Sequence, residues 1–524
     1  MLRDADSPMG RGPALAIGLA LGVAAFARPA SGAGLYFSER GVRPLARGGA
    51  FIAGADDLGA IHYNPAGIFD AGGQFLVDAS WLHFTTEYTR KGIVEQSDPN
   101  TGAVVARWTK TYQTVDGVTP VLPLPTLAAS FHVHPDWVLA LGLAAPYGAI
   151  PSYPDKVNGE PAPQRYGLLT LDGSLLSVAG LWAAWAPNAE WRVGIGFEAL
   201  IGRFVATTVL SGCLPDRFLC AYEQPSWDTL AQVVAGPIIA PSGNLGVKWI
   251  PDPRWRVGLA MQLPYWVRAP ATMNVRLPAT PVFERASLEG VDARVNFDLP
   301  FGLRAGVEWR PVDELNVELS GSYEAWSMNK QIAIVPDGMA LRRVAGLPDP
   351  YLVPEVDVPT NMQDTGSVRL GAEYHLDLFD YIWEIRGGVS FESSAVPTDS
   401  LSVMIVDMPK FTVGGGLSLN VGAARFDVTY AHIFGITTEV DPAQAKMPLL
   451  SPLAANVPVP HTINGGTYAA RADVLGIGMR YQFDEDAPGM QQDIPASDRE
   501  AAATDAAAAA AQADKAKGAA GDKP

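Results

Sequence analysis

From Trp255 the chain alternates: Val257, Leu259, Met261 and Leu263 are apolar, while Gly258, Ala260 and Gln262 between them are small or polar. The same two-residue period follows Leu315, where Val317, Leu319, Gly321 and Tyr323 interleave with Asn316, Glu318, Ser320, Ser322 and Glu324. Side chains on a strand point alternately to the two faces of a sheet, so each run predicts a strand with one greasy and one polar face. Four such runs open directly after a proline-bearing turn, at Pro135–Trp137, Pro187–Trp191, Pro251–Trp255 and Pro311–Leu315. A soluble sandwich would turn the greasy face inward. Here the polar face carries charge on strand after strand, which predicts a wet interior and a lipid-facing exterior: an all-β, transmembrane antiparallel barrel.

Followed along the whole chain, the period predicts about fourteen strands, at 74–89, 124–134, 137–146, 174–186, 191–208, 242–250, 255–277, 291–310, 315–328, 366–376, 381–393, 410–419, 424–433 and 470–483. Most lie near the roughly 9–11 residues that cross a bilayer at a tilt. Tight turns near 135, 188, 252, 312, 378 and 421 alternate with long connections at 90–123, 147–173, 209–241, 329–365 and 434–469, the pattern of short periplasmic turns and long external loops. Trp137, Trp191 and Trp255 would then lie at the periplasmic interface, where an indole has both an apolar face and a wet N–H.

Two segments break the period. Residues 34–73 are rich in small residues from Gly48 to Ala55 and end on the breaker cluster Asn64-Pro65-Ala66-Gly67, which predicts short helical turns folded as a plug, or hatch, inside the barrel. Residues 484–524 are rich in Ala, Asp and Lys, cannot build a core, and are expected to form a disordered tail on the periplasmic side. The barrel proper is expected over 74–483. Before the hatch, Arg3 and Arg11 precede the apolar stretch Ala14–Ala27, and small residues follow at Ala30–Ala33, so 1–33 reads as a secretory signal peptide. Its apolar core is too short for a spanning helix of about 20 residues.

Charge and chemistry narrow the picture. A formal net charge of −17 argues against a nucleic-acid partner, which would need a basic surface. The two cysteines, Cys213 and Cys220, share one loop of an exported chain, so a disulfide is expected there. With no histidine nearby, no metal site is expected, and no cofactor. Neither a G-x-S-x-G elbow nor an H-E-x-x-H motif occurs, so the expectation is a non-enzyme, with a barrel lipase, a general porin and a structural barrel kept as alternatives.

The stretch Gly34-Leu35-Tyr36-Phe37-Ser38-Glu39, continuing through Arg47-Gly48-Gly49-Ala50-Phe51 and Ala55-Asp56-Asp57 to His62-Tyr63-Asn64-Pro65-Ala66-Gly67, resembles the N-terminal hatch of the FadL/TodX family of outer-membrane transporters. Family-like passages recur at Ala145-Pro146-Tyr147-Gly148, Leu299-Pro300-Phe301-Gly302, Tyr323-Glu324-Ala325-Trp326-Ser327, Arg386-Gly387-Gly388-Val389 and Asn464-Gly465-Gly466-Thr467-Tyr468. The resemblance implies a hatch-plugged, monomeric barrel in the bacterial outer membrane, surrounded by lipid and lipopolysaccharide. It would pass hydrophobic molecules without an energy source, long-chain fatty acids placed ahead of aromatic hydrocarbons, and release them sideways through a kinked third strand. Two features depart from the family: residues 484–524 follow the terminal aromatic Phe483, and the Cys213/Cys220 pair is not a family trait.

Candidate site residues follow. Leu35, Tyr36 and Phe37 form an apolar hatch tip that either contacts ligand or anchors the plug. Asn64, Pro65, Ala66 and Gly67 read first as the turn that docks the hatch. Gly142 and Pro146 permit a kink in the third strand, although a proline there also fits an ordinary strand end. Strand parity points Arg304, Glu308, Arg369, Glu384 and Arg386 into the lumen, together with Arg310, Glu318, Glu324, Glu373, Arg425 and Asp427. Most of these should pair with one another, because an unpaired buried charge is expensive, while one arginine could hold a substrate carboxylate.

Overall fold

The computed structural model describes residues 40–97, 104–121, 123–145, 150–214, 220, 223–454 and 461–483. Twenty strand segments join in one sheet. In chain order they are β1 (Gln74–Ser97), β2 (Val104–Val118), β3 (Pro123–His134), β4 (Trp137–Ala144), β5 (Leu175–Trp185), β6 (Trp191–Ser211), β7 (Asp228–Asp252), β8 (Trp255–Gln262), β9 (Tyr265–Arg276) and β10 (Asp292–Leu299). They continue with β11 (Gly302–Val312), β12 (Leu315–Glu324), β13 (Gln331–Pro336), β14 (Val356–Pro359), β15 (Thr365–Leu378), β16 (Tyr381–Glu392), β17 (Lys410–Val421), β18 (Ala424–Gly435), β19 (Thr438–Val440) and β20 (Gly466–Gln482). Successive segments on one line form single staves, β2 with β3, β8 with β9, β10 with β11, β12 with β13, β14 with β15 and β18 with β19, so the wall is a closed antiparallel barrel of fourteen staves. Closure comes from β1 and β20, paired from Gln74↔Gln482 to Arg90↔Gly466.

The tight turns gather at one end, here the lower end, and the long loops at the other. Cross-strand tryptophans ring the lower end: Trp137 stacks on Trp185 at 5.7 Å between ring centres, Trp191 on Trp249 at 5.8 Å and Trp255 on Trp309 at 6.1 Å. These indoles meet because their residues face each other across adjacent strands.

Several strands differ from the sequence expectation. The connection expected at 90–123 contains the upper third of β1 and all of β2, which rise as a hairpin paired from Thr85↔Val118 to Ser97↔Val104. The connection expected at 209–241 already carries the start of β7. The strands expected at 255–277 and 291–310 are each two segments, parted at Pro264 and Pro300, which have no N–H for a ladder. The strand expected to 328 ends at Glu324 in a 3-10 turn, Trp326–Met328. The third stave ends at Ala144, and Pro146 lies outside the described residues.

These interruptions reverse the faces of the wall. Below Pro264 the even positions Arg256, Ala260 and Gln262 are buried in the lumen and Leu259 points out; above it the odd positions Tyr265, Val267, Ala269, Ala271 and Met273 are buried. The next stave does the same at Pro300, with Arg304 and Glu308 buried below and Val295, Phe297 and Leu299 buried above. A register shift between Gly202 and Phe204, opposite Gly236-Pro237, produces the reversal in β6 and β7. A wet lumen over the full height, expected from the charges, is therefore corrected: the lower lumen is charged, and the upper lumen is apolar.

Candidate functional site: an ion-paired hatch below, apolar cavities above

The hatch fills the lower lumen. Three short helices, α1 (Val42–Ala46), α2 (Ala60–Tyr63) and α3 (Ile68–Ala71), are joined by tight backbone bends, with a 3-10 turn at Pro65–Gly67 between the last two. Gly48 and Gly49, both at positive φ, turn the chain after α1. Elements so short cannot stand alone. The barrel holds them.

Three carboxylates and two arginines of the hatch make most of that hold. Arg43 on α1 reaches Asp56 at 2.5 Å, Asp57 at 3.1 Å and Glu373 of β15 at 2.6 Å. Asp56 also meets Arg256 at 3.2 Å, and Asp57 meets Arg425 at 2.9 Å. Arg47 reaches Glu308 at 3.0 Å and Glu318 at 3.4 Å, while Glu318 accepts the Ile52 N–H at 2.6 Å and the Gly54 N–H at 2.8 Å. Asp70 on α3 is held by Lys248 at 2.7 Å and Arg192 at 3.1 Å. Phe51 is fully buried, with the Arg43 and Arg47 guanidiniums 5.2 and 5.6 Å from its ring centre. Burial alone would push the Asp56 carboxyl up, but Arg43, Arg256 and Lys248 hold it well below the usual carboxylate range. Burial likewise opposes ionisation of Asp57 and Asp70, and their cations hold both below that range.

Asn64 secures the turn. Its Nδ2 donates to Ile52 O at 2.9 Å and to Val247 O of β7 at 3.2 Å, and its Oδ1 accepts the Ala66 N–H at 3.2 Å. Pro65 starts the 3-10 turn, and Ala66 and Gly67 are buried within it. On the wall, a side chain at Gly246 would collide with Asn64 Oδ1 and Pro65, and one at Gly388 with the Arg47 backbone, so glycines form the seats on which the plug rests. Gly142 of β4 packs against Ile61 of the hatch; a Cβ there would lie 3.1 Å from Ile61 Cδ1.

The remaining lumen candidates are distributed as follows. Arg304 donates to His62 O at 2.9 Å. Glu308 bridges Arg47 and Arg256. Arg369 bonds Ser367 and Glu392, and Arg386 is gripped by Glu373, Glu384 and Asp427. Arg386 therefore spends its guanidinium on three carboxylates rather than on a ligand. Leu35, Tyr36 and Phe37 lie outside the described residues. Cys213 and Cys220 are joined in a disulfide, Cα atoms 6.0 Å apart, in an upper loop. The hatch ends of the network, Arg43, Asp56, Asp57 and Asp70, were not singled out by parity because parity is a property of strands.

Above the hatch lie three cavities without charged residues among their described linings. The innermost, about 660 Å³, is bounded by Ile150, Leu176, Phe204, Phe297 and Met404. The middle one, about 690 Å³, is bounded by Val233, Met273, Val358, Met404 and Met447. The outermost, about 440 Å³, is bounded by Leu210, Met273, Leu288, Met339 and Leu341. A fourth space of about 520 Å³ lies beside the hatch where the third stave stops, between Arg40, Gly41, Leu45, Leu124, Ala144 and Ala145. Ion pairs tie the external loops to the upper wall: Arg90 binds Glu223, whose carboxyl burial pushes up but Arg90 and His461 hold at about 2, and Arg165 binds Asp228 at 2.7 Å.

The family model for outer membrane transport proteins of the OMPP1/FadL/TodX type matches residues 23–483. The chain belongs to this family. Among solved structures, a Pseudomonas aeruginosa FadL homologue is 14% identical and superposes with a TM-score of 0.62, over 86% of this chain and 100% of that one. The Pseudomonas putida toluene transporter TodX is 14% identical with a TM-score of 0.56, over 86% of this chain and 99% of that one. The Ralstonia pickettii toluene transporter TbuX is 17% identical with a TM-score of 0.52, over 85% and 99%. No curated protein matches the chain. As a FadL/TodX-family barrel the protein resides in the outer membrane, and the outward apolar residues of its lower half are its lipid-facing surface.

Proposed function

We propose that the protein is a passive transporter that takes hydrophobic small molecules into the apolar upper lumen and delivers them sideways beside the hatch. The observation that carries this reading is the stack of apolar cavities above a plug tied to the wall by buried ion pairs, with a further cavity at the end of the shortened third stave. Each methylene exposed to water costs about 0.8 kcal/mol, so a hydrocarbon favours such a route over a water-filled pore. The filled lower lumen weighs against a general porin. In this reading Gly142 and Pro146 belong to the release side, Leu35, Tyr36 and Phe37 contact the ligand from the hatch tip, and the protein is not an enzyme.

Uptake of a radiolabelled hydrophobic tracer by cells with and without the protein tests the reading. Uptake that falls on deletion and returns with the intact chain supports it; unchanged uptake of every hydrophobic tracer, with free passage of sugars through the purified barrel, refutes it in favour of a porin. Serine at Leu35, Tyr36 and Phe37 should lower uptake while heat-modifiable barrel migration persists. Unaltered uptake would remove the tip from the route.

A further inference from the structure

We infer that the three upper cavities are successive stations of one route restricted to uncharged molecules, and that Met404 and Met273 are its two constrictions. The inference rests on the transport reading above and narrows its ligand class.

The cavities are serial. Met404 borders both the innermost and the middle cavity, while Met273, with Leu210, borders both the middle and the outermost. A side chain that lines two neighbouring voids forms part of the partition between them. Methionine has three rotatable bonds and a polarizable thioether, so it can swing aside at lower cost than a branched residue and then refill the gap. Met273 comes from β9, above the reversal at Pro264, which is what turns it inward.

The linings carry no lysine, arginine or histidine among the described residues. Several of their hydroxyls are already engaged. Ser174 Oγ donates to Val205 O at 3.0 Å and accepts the Val205 N–H at 2.8 Å, Tyr166 donates to Asp228 at 2.5 Å, and Thr208 Oγ1 donates to Arg165 O at 3.2 Å. The nearby guanidiniums of Arg165 and Arg90 are bound to Asp228 and Glu223. An ionised carboxylate leaving water for these cavities would lose its hydration and meet no cation. A hydrocarbon of the same length would lose only unfavourable contacts with water, and an ester would add the loss of one carbonyl's hydration, far less than that of an ionised carboxylate. This reverses the order in which the family resemblance places fatty acids first. Among the described cavity linings, Arg40 is a cation, and it stands at the release side, below all three stations.

The test compares hexadecanoic acid with its methyl ester, at pH 8 where the acid is ionised, using proteoliposomes of the full chain and binding by native mass spectrometry. The ester should be taken up at least tenfold faster than the acid, and Met404→Trp should slow ester uptake about tenfold while heat-modifiable migration is unchanged. Should that variant fail to fold, Met404→Phe and Met273→Phe provide the same comparison with smaller perturbation. Equal uptake of acid and ester overturns the charge restriction and leaves the transport reading intact. Ester uptake unaffected by either methionine variant overturns the assignment of the constrictions. Uptake and binding of neither compound overturns both this inference and the transport reading.

Discussion

The lower and upper halves of this barrel solve opposite problems with one alternating sequence pattern. Below, lipid lies outside, so apolar side chains point outward and the lumen collects charge that the hatch neutralises with Arg43, Arg47, Asp56, Asp57 and Asp70. Above, the same odd-numbered apolar residues point inward, and residues such as Arg268, exposed and paired with Asp298 at 2.7 Å, take the outer face. The charged half can stay shut because its ions pair across the hatch and the wall. In the proposed function the apolar half admits a guest, because its voids have no charged residue among their described linings. Position along the barrel axis, rather than parity alone, decides whether an apolar residue meets lipid or the lumen.

The comparison breaks hardest at Arg43. Arg43→Ala leaves Asp56, Asp57 and Glu373 short of a buried cation, and removing one partner of a buried pair typically costs about 3–5 kcal/mol. Hydrogen exchange across 42–71 should accelerate strongly while barrel migration remains, because the wall completes its own hydrogen bonds. Unchanged exchange would mean that packing, not charge, holds the plug. Removing the disulfide with Cys213→Ser and Cys220→Ser should act only in the upper half. Closing a loop with a sequence separation of 7 contributes about 2–3 kcal/mol at most, so the loop should become protease-sensitive while the hatch is unaffected. Hatch loosening in that pair would show that the halves are coupled.

Gly246→Val should displace the Asn64 turn, with a cost of about 1–3 kcal/mol from overpacking, again read as faster exchange in the hatch. At neutral pH the smallest effect belongs to His62. Burial, followed by Arg40, Arg304 and Arg369, holds its imidazole well below its ordinary value near 6.5. The folded hatch thus keeps His62 neutral, and the contribution of His62 to docking should be constant above about 6.5. Below that, an undocked hatch binds a proton that the docked one refuses, so docking weakens by at most about 1.4 kcal/mol per pH unit until the folded value is reached. The hatch carboxylates act in the same direction at lower pH: held low, they stabilise docking above the ordinary carboxylate range and lose that contribution only in stronger acid. His62→Gln should remove the first phase of the pH profile; a profile identical to the parent would exclude His62 as its source.

Much of this was legible in the sequence because lipid enforces period two on the wall and short turns punctuate it. The tight turns, the tryptophans at the lower rim and the closed barrel follow from that rule. The face reversal was not legible. Val257 to Leu263 and Tyr265 to Met273 place their apolar residues on one continuous odd-numbered series, and only the missing ladder donor at Pro264 separates lipid-facing from lumen-facing positions. β2 was hidden because its outer surface meets water, where Arg107, Lys110 and Asp116 look like loop chemistry. In the site, strand charges could be assigned to the lumen by parity, whereas their hatch partners lie on elements of three to five residues or in the bends between them, with no period to read. Met404 and Met447 lie outside the barrel strands, in the connections before β17 and β20, so nothing in sequence spacing brings them to the lumen.

The contrast between a fixed lower half and a receptive upper half is tested most directly by hydrogen exchange of the detergent-purified chain with and without saturating hexadecanoic acid methyl ester. The account predicts slower exchange in 204–210, 265–273, 295–299 and 402–405, with 42–71 unchanged. Protection concentrated in the hatch, or none in the upper segments, would contradict it.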